Sequence, residues 1–97
     1  MSALWIAHVT VTDADAEAYG QYASRATHAI ADHGGVFLAR AGRAVQLEGQ
    51  GHARNVVARF PSVEAAVACY NSPAYQEALS FAKNAATREL VVVEEVE

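Results

Sequence analysis

Apolar residues recur along this 97-residue chain in two periods, and the switching between those periods predicts its elements. Ala3 to Val11 (ALWIAHVTV) is apolar and β-branched on both parities, the pattern of a strand covered on two faces. Thr12-Asp13-Ala14-Asp15 then offers oxygen side chains to cap free amides and carboxylates for the positive end of a helix dipole. Tyr19, Tyr22, Ala23, Ala26, Ala29 and Ile30 follow at three- and four-residue spacing, and this helix ends at Gly34-Gly35. Val36 to Ala41 (VFLARA) and Arg43 to Glu48 (RAVQLE) read as two short strands, with Gly42 between them as a bulge or tight turn and a turn at Gly49-Gln50-Gly51 after them. Asn55 to Phe60 is a further strand. Ser62 caps a helix whose apolar stripe is Val63, Ala66, Val67 and Tyr70. Asn71-Ser72-Pro73 interrupts the period, with Ser72 as a second cap and Pro73 at the first helical position, before a short helix carrying Tyr75, Leu79 and Ala82. Leu90 to Val96 is the last strand, again apolar on both parities.

The expected order is β-α-β-β-β-α-α-β in one domain over residues 1–97. It is the pattern of an α+β, ferredoxin-like sandwich: an antiparallel sheet with its helices on one face. Both terminal strands are too apolar for the second face to stand in water. With no third layer in the chain, the simplest cover is another copy of the same sheet, which predicts an isologous homodimer.

Charge and composition remove several functions. Seven basic and eleven acidic side chains give a formal net charge of -4, and the arginines are scattered, so no basic stripe exists for nucleic acid. No apolar run approaches the roughly 20 residues of a membrane span. One cysteine, Cys69, and an N-terminus without a basic, apolar and cleavable succession point to a cytoplasmic, reduced protein. His28 and His33 diverge on their helix, His52 lies in a glycine-rich loop, and no paired-ligand spacing predicts a metal. No GxGxxG, P-loop or GxSxG sequence is present, so no cofactor is expected.

Several segments together, WIAHVTVTDAD, GGVFLARAGRAVQLEG, FPSVEAAVACYNSPAYQ and LVVVEE, resemble the bacterial domain of unknown function family 1330 of the dimeric α+β barrel superfamily. The resemblance covers essentially the whole chain, and Phe60 to Gln76 is its most specific part. It implies a ferredoxin-like protomer whose sheet pairs with a partner's, with a small cavity between sheet and helices. It implies no established activity, since wider relatives include cofactor-independent monooxygenases, isomerases and haem enzymes. Relatives commonly carry His before Ser-Pro where this chain has Asn71, and arginines in the next helix where it has Ala82 and Asn84.

The residues expected to carry chemistry are few. His8 suits general acid/base work or a satisfied core histidine, and Arg40 suits a clamp on a carboxylate or enolate or a structural ion pair. Tyr22 and Tyr75 reach a pocket only through their hydroxyls, Asn71 sits at a helix break where its amide can orient a carbonyl, and Arg43 is a rim charge. These predict a cavity that binds a small, partly apolar or anionic molecule, with His8 as base and Arg40 as clamp in cofactor-free chemistry. The rival reading is a non-catalytic dimerisation or ligand-sensing module.

Overall fold

The computed structural model describes residues 1–12, 16–83 and 85–96. Among them the chain runs β1 (Ala3–Val11), α1 (Ala16–Asp32), β2 (Val36–Arg40), β3 (Arg54–Phe60), α2 (Val63–Asn71), α3 (Pro73–Ala82) and β4 (Ala86–Glu94). The strands form one antiparallel sheet in the order β2-β3-β1-β4. This is the ferredoxin-like arrangement, with the first strand central as its sequence predicts. The expected helix start at Asp13-Ala14-Asp15 lies outside the described residues, as does Asn84.

Parity in β1 sets the two faces. Ala3, Trp5, Ala7 and Val9 are buried beneath the helices, whereas Leu4 and Ile6 are half-buried and His8 and Thr10 exposed on the other side. The core joins that inner row to Ala58 and Phe60 of β3, to Tyr19, Tyr22, Ala26, Ala29 and Ile30 of α1, and to Ala66, Cys69, Tyr75 and Ala78 of α2 and α3. The buried residues of α1 are the stripe its three- and four-residue spacing predicts.

Helix ends follow the residues that satisfy free backbone groups. Gly34 takes φ +82 and its N–H bonds the Ala31 carbonyl oxygen, while the Gly35 amide bonds that of Ile30 at 2.8 Å. Gly35 is required by closeness: a Cβ there would meet the Ile30 Cγ2 at 2.5 Å and the Phe60 Cζ at 2.8 Å. Ser62 accepts from the Ala65 amide at 3.0 Å. Ser72 ends α2 and starts α3: its hydroxyl donates to the Cys69 carbonyl at 2.7 Å and accepts from the Tyr75 amide at 3.2 Å.

Three sequence expectations are corrected. Arg43 to Glu48 is not a strand. β2 ends at Arg40, Ala41 turns the chain at φ +58, and the alternating residues beyond it have no neighbouring strand to complete a ladder. The irregularity assigned to Gly42 sits earlier, as a register shift between Phe37 and Ala39. The last strand begins at Ala86, four residues before Leu90, because Val9, Thr10 and Val11 of β1 pair with Arg88, Thr87 and Ala86.

All the helices stand on one face. The other presents Val36, Leu38, Val91 and Val93 as exposed apolar side chains beside half-buried Leu4, Ile6 and Val57. Its apolar character is the one the terminal strands predict, and nothing within the described residues covers it.

Candidate functional site

A cavity opens between α1 and the inner face of the sheet. Small residues make it: Ala23 and Ala26 of α1 look onto Ala7, Val9 and Val56, so the two layers meet without filling the space. Packing agrees, since α1 lies chiefly against α3 whereas α2 is the helix that approaches β1, β3 and β4. The enclosed free space is about 40 Å³. Only a small group enters it without movement of the walls.

Sheet register brings three arginines to this space. Val9 pairs with Arg54 on β3 and with Arg88 on β4, so the two arginines share its inward side and flank it in one cross-strand row. Arg40 pairs with Val56 on the neighbouring row and lines the exposed mouth. No carboxylate is among the described residues lining the cavity.

Each guanidinium is held differently. Arg40 lies 4.3 Å above the Phe37 ring centroid and donates from Nη2 to the Thr27 hydroxyl at 2.5 Å. The Thr27 hydroxyl in turn donates to the Ala23 carbonyl. Arg88 stacks on the Tyr22 ring at 4.6 Å and donates from Nη2 to the hydroxyls of Tyr22, at 2.6 Å, and Tyr75, at 3.2 Å. Arg54 lies over the Tyr19 ring at 5.4 Å. The Nε atoms of Arg54 and Arg88 are both buried and have no hydrogen-bond partner. A buried donor left unpaired costs about 1–3 kcal/mol, more when charged. Two charged donors thus stand unpaired in residues that line the cavity.

Tyrosine chemistry adds another donor. The hydroxyls of Tyr22 and Tyr75 lie 2.6 Å apart and share one hydrogen, while Arg88 donates to both oxygens. One hydroxyl hydrogen is left. Tyr75 is fully buried whereas Tyr22 lines the cavity, and either hydroxyl can be the donor between them. Burial, and then the neighbouring Tyr75, push the Tyr22 hydroxyl well above the ordinary tyrosine range against the pull of Arg88; burial also raises Tyr75. Both remain neutral donors at physiological pH.

The predicted site residues separate. Arg40 and Tyr22 line the cavity, and Tyr75 stands behind Tyr22 as its hydrogen-bond partner. Asn71, at the end of α2, and Arg43, in the loop after β2, are exposed and line no part of it. His8 corrects the expectation that it shares a cavity with Arg40. It has the even parity of β1 and stands on the open face, because the helices cover only the odd residues.

On that face His8 belongs to a polar network at one end of the sheet. The Asn55 amide nitrogen donates to the His52 carbonyl, so its Oδ1 faces His8 Nδ1, which donates to it at 2.7 Å. His52 donates from Nε2 to Glu89 at 2.9 Å and its Nδ1 accepts from the Thr10 hydroxyl at 2.8 Å. The two histidine rings stack at 6.2 Å.

Arg54 and Arg88 were invisible to spacing because Arg59 occupies the opposite parity of β3 and Arg88 precedes the apolar run that marks the last strand. One signal could have found Arg54. Phe60, next to Pro61, is the bulkiest residue of its strand, and counting back by twos from it gives Ala58, Val56 and Arg54 as one inward row. Cys69 offers no chemistry here: burial lifts its thiol to about 11, and its Sγ–H points at the Ala29 carbonyl. Among the described residues no cluster of His, Cys, Asp and Glu could hold a metal, and no helix is long and apolar enough to cross a membrane.

Comparison with known proteins bears on the fold. Residues 2–96 match the family described as domain of unknown function DUF1330. No curated protein matches the chain. The RPA0582 protein of unknown function from Rhodopseudomonas palustris is similar in structure, with a TM-score of 0.77 at 21% identity over 99% of this chain and 83% of that one. SnoaB, a cofactor-independent oxygenase from Streptomyces nogalater, gives 0.69 at 14% identity over 99% and 94%. A dimeric ferredoxin-like protein of unknown function from Thermobifida fusca gives 0.59 at 16% over 98% and 92%. At these identities the likeness is one of fold.

Proposed function

Since this chain belongs to the DUF1330 family, whose function is open, we propose from the cavity itself that the protein binds a small anionic molecule with an apolar body between α1 and the sheet. The observation that carries this reading is the meeting of Arg40, Arg54 and Arg88 in a space without a carboxylate, with two buried Nε atoms unpaired. Guanidinium forks match carboxylate oxygens, and such pairs are the strong ones when partly desolvated. The acid enters between Arg54 and Arg88. The apolar body lies toward the mouth, against Phe37 and Ala23.

The chemistry these residues support is stabilisation of negative charge, on a carboxylate or an enolate, without a cofactor. The likeness to a cofactor-independent oxygenase is in keeping with that and adds only fold-level support. Proton abstraction is poorly served: the lining tyrosine is a neutral donor and His8 stands on the opposite face. This favours ligand binding or sensing over acid/base turnover.

We further propose that the open apolar face is covered by a second copy. Leu4, Ile6, Val57, Val91 and Val93 form a contiguous patch on three adjacent strands, and similar folds are described as dimeric.

Thermal unfolding tests the anion site. Butyrate is expected to raise Tm above a chloride control of equal ionic strength in the wild type, and Arg54→Gln to abolish the rise. No rise over chloride, or an equal rise in the variant, refutes the reading.

A further inference from the structure

We propose that the loop between β2 and β3 is a docking arm, which lays Val45 and Leu47 on the bare apolar end of the open sheet face of a second copy. The inference rests on the dimer reading and specifies which residues each copy contributes to the contact.

The loop packs on itself and turns its apolar side chains to water. The Gln46 side-chain amide donates to the Glu48 carbonyl, and a Cβ on Gly51 would meet the Gln46 Cγ at 3.2 Å. Gly49 closes the turn at φ +76. Val45 and Leu47, on either side of Gln46, are 68% and 87% exposed. Single apolar side chains on a surface are ordinary, but two on one self-bonded loop beside an uncovered apolar face make a matched pair of surfaces.

The loop arises at one particular end of that face. Along β1 the open row runs Leu4, Ile6, His8 and Thr10, apolar first and polar last, and beside it β4 runs Val93, Val91, Glu89 and Thr87. The loop's last turn lies across the polar end, where His52 bonds Thr10 and Glu89. At the apolar end Val36 and Val93 are exposed, and the nearby Arg59 is already paired with Glu95, so no free charge opposes an apolar contact there.

Symmetry then selects the contact. In an isologous dimer each loop does to the partner what the partner's loop does in return. Stacked with like ends together, each apolar tip would settle on the other copy's His8 and Glu89 and take those polar groups out of water, which is costly. Stacked with ends exchanged, each tip overhangs the bare end formed by Leu4, Val36 and Val93. Packed sheets lie about 10 Å apart, and the four residues from Ala41 to Val45 reach about 13 Å when extended, enough to cross that gap.

Crosslinking tests the arm directly. Leu47→Cys and Val93→Cys proteins are mixed, left to exchange subunits and oxidised, and intact mass separates the mixed disulfide dimer from self-crosslinked ones. Cys69 does not interfere, being fully buried with its thiol raised to about 11. The expected result is a mixed product at least about tenfold above that of Leu47→Cys with Glu64→Cys, an exposed position on α2. Sedimentation equilibrium of Leu47→Ser is expected to show a dissociation constant raised at least about tenfold, with circular dichroism unchanged because the side chain it replaces is exposed in the single chain. A Leu47→Ser dimer as tight as wild type, or a mixed yield no higher than the Glu64→Cys control, overturns the arm while leaving a dimer in place. A higher yield with Thr87→Cys, at the polar end, than with Val93→Cys overturns the exchange of ends. Wild-type protein that sediments as a monomer defeats the dimer reading itself and leaves the face to a different partner.

Discussion

Tyr22 illustrates how one side chain can join core to site. Its ring packs edge-on against Tyr75 at 6.0 Å, its hydroxyl accepts from Arg88, and that hydroxyl shares a hydrogen with Tyr75 at 2.6 Å. Tyr22→Phe keeps the ring and leaves the Tyr75 hydroxyl without its partner and Arg88 with one fewer acceptor. Unpaired buried groups of this kind cost about 1–3 kcal/mol, and chemical denaturation is expected to show a loss of that size with an unchanged slope. A loss below about 0.5 kcal/mol would mean that water replaces the hydroxyl and that the network is not closed. Legibility at this scale is uneven. Tyr22, Tyr75 and Arg40 stood out in the sequence as aromatic and charged residues against an apolar period. His8 stood out in its apolar strand and the sequence placed it on the wrong face: an apolar run of both parities tells that two faces need cover and not which of them the chain's own helices supply.

The elements were legible wherever local chemistry determines them. β1 spans the nine residues its pattern predicts, α1 stops at the Gly34-Gly35 pair, and Ser62 and Ser72 cap the helices their positions imply. The failures lie where a strand depends on a distant partner. Arg43 to Glu48 alternates as a strand should, with Val45 and Leu47 on one parity, yet both are exposed because β2 is a sheet edge and the chain leaves it at Ala41. At the other end, Ala86 to Glu89, outside the expected strand, is drawn into it by the full length of β1. That extension is what carries Arg88 into the cavity. Local sequence marked the wall of the site well and the register of its arginines poorly.

At the scale of the whole molecule, the three helices among the described residues cover one face of the sheet and leave the other apolar. Covering it with a second copy is the economical solution for a domain of this length, whose own core is small. Val91 lies on this face, away from the cavity, and is 54% exposed in the single chain. Light scattering is expected to give twice the chain mass for the wild type and a monomer for Val91→Glu, with the circular dichroism of the variant retained. A wild-type monomer, or a folded variant that still dimerises, contradicts the placement of the interface. The ferredoxin-like fold holds the cavity independently of that face, so the proposed anion site does not depend on the dimer. The most direct test observes the two orphaned donors themselves, by following the arginine Nε–Hε resonances of ¹⁵N-labelled protein as butyrate is added. The account predicts that the Arg54 and Arg88 signals move to saturation while that of Arg59, already bonded to Glu95 at 2.7 Å, stays in place. Arg54 and Arg88 signals that do not move, or that move only in step with Arg59, would contradict it.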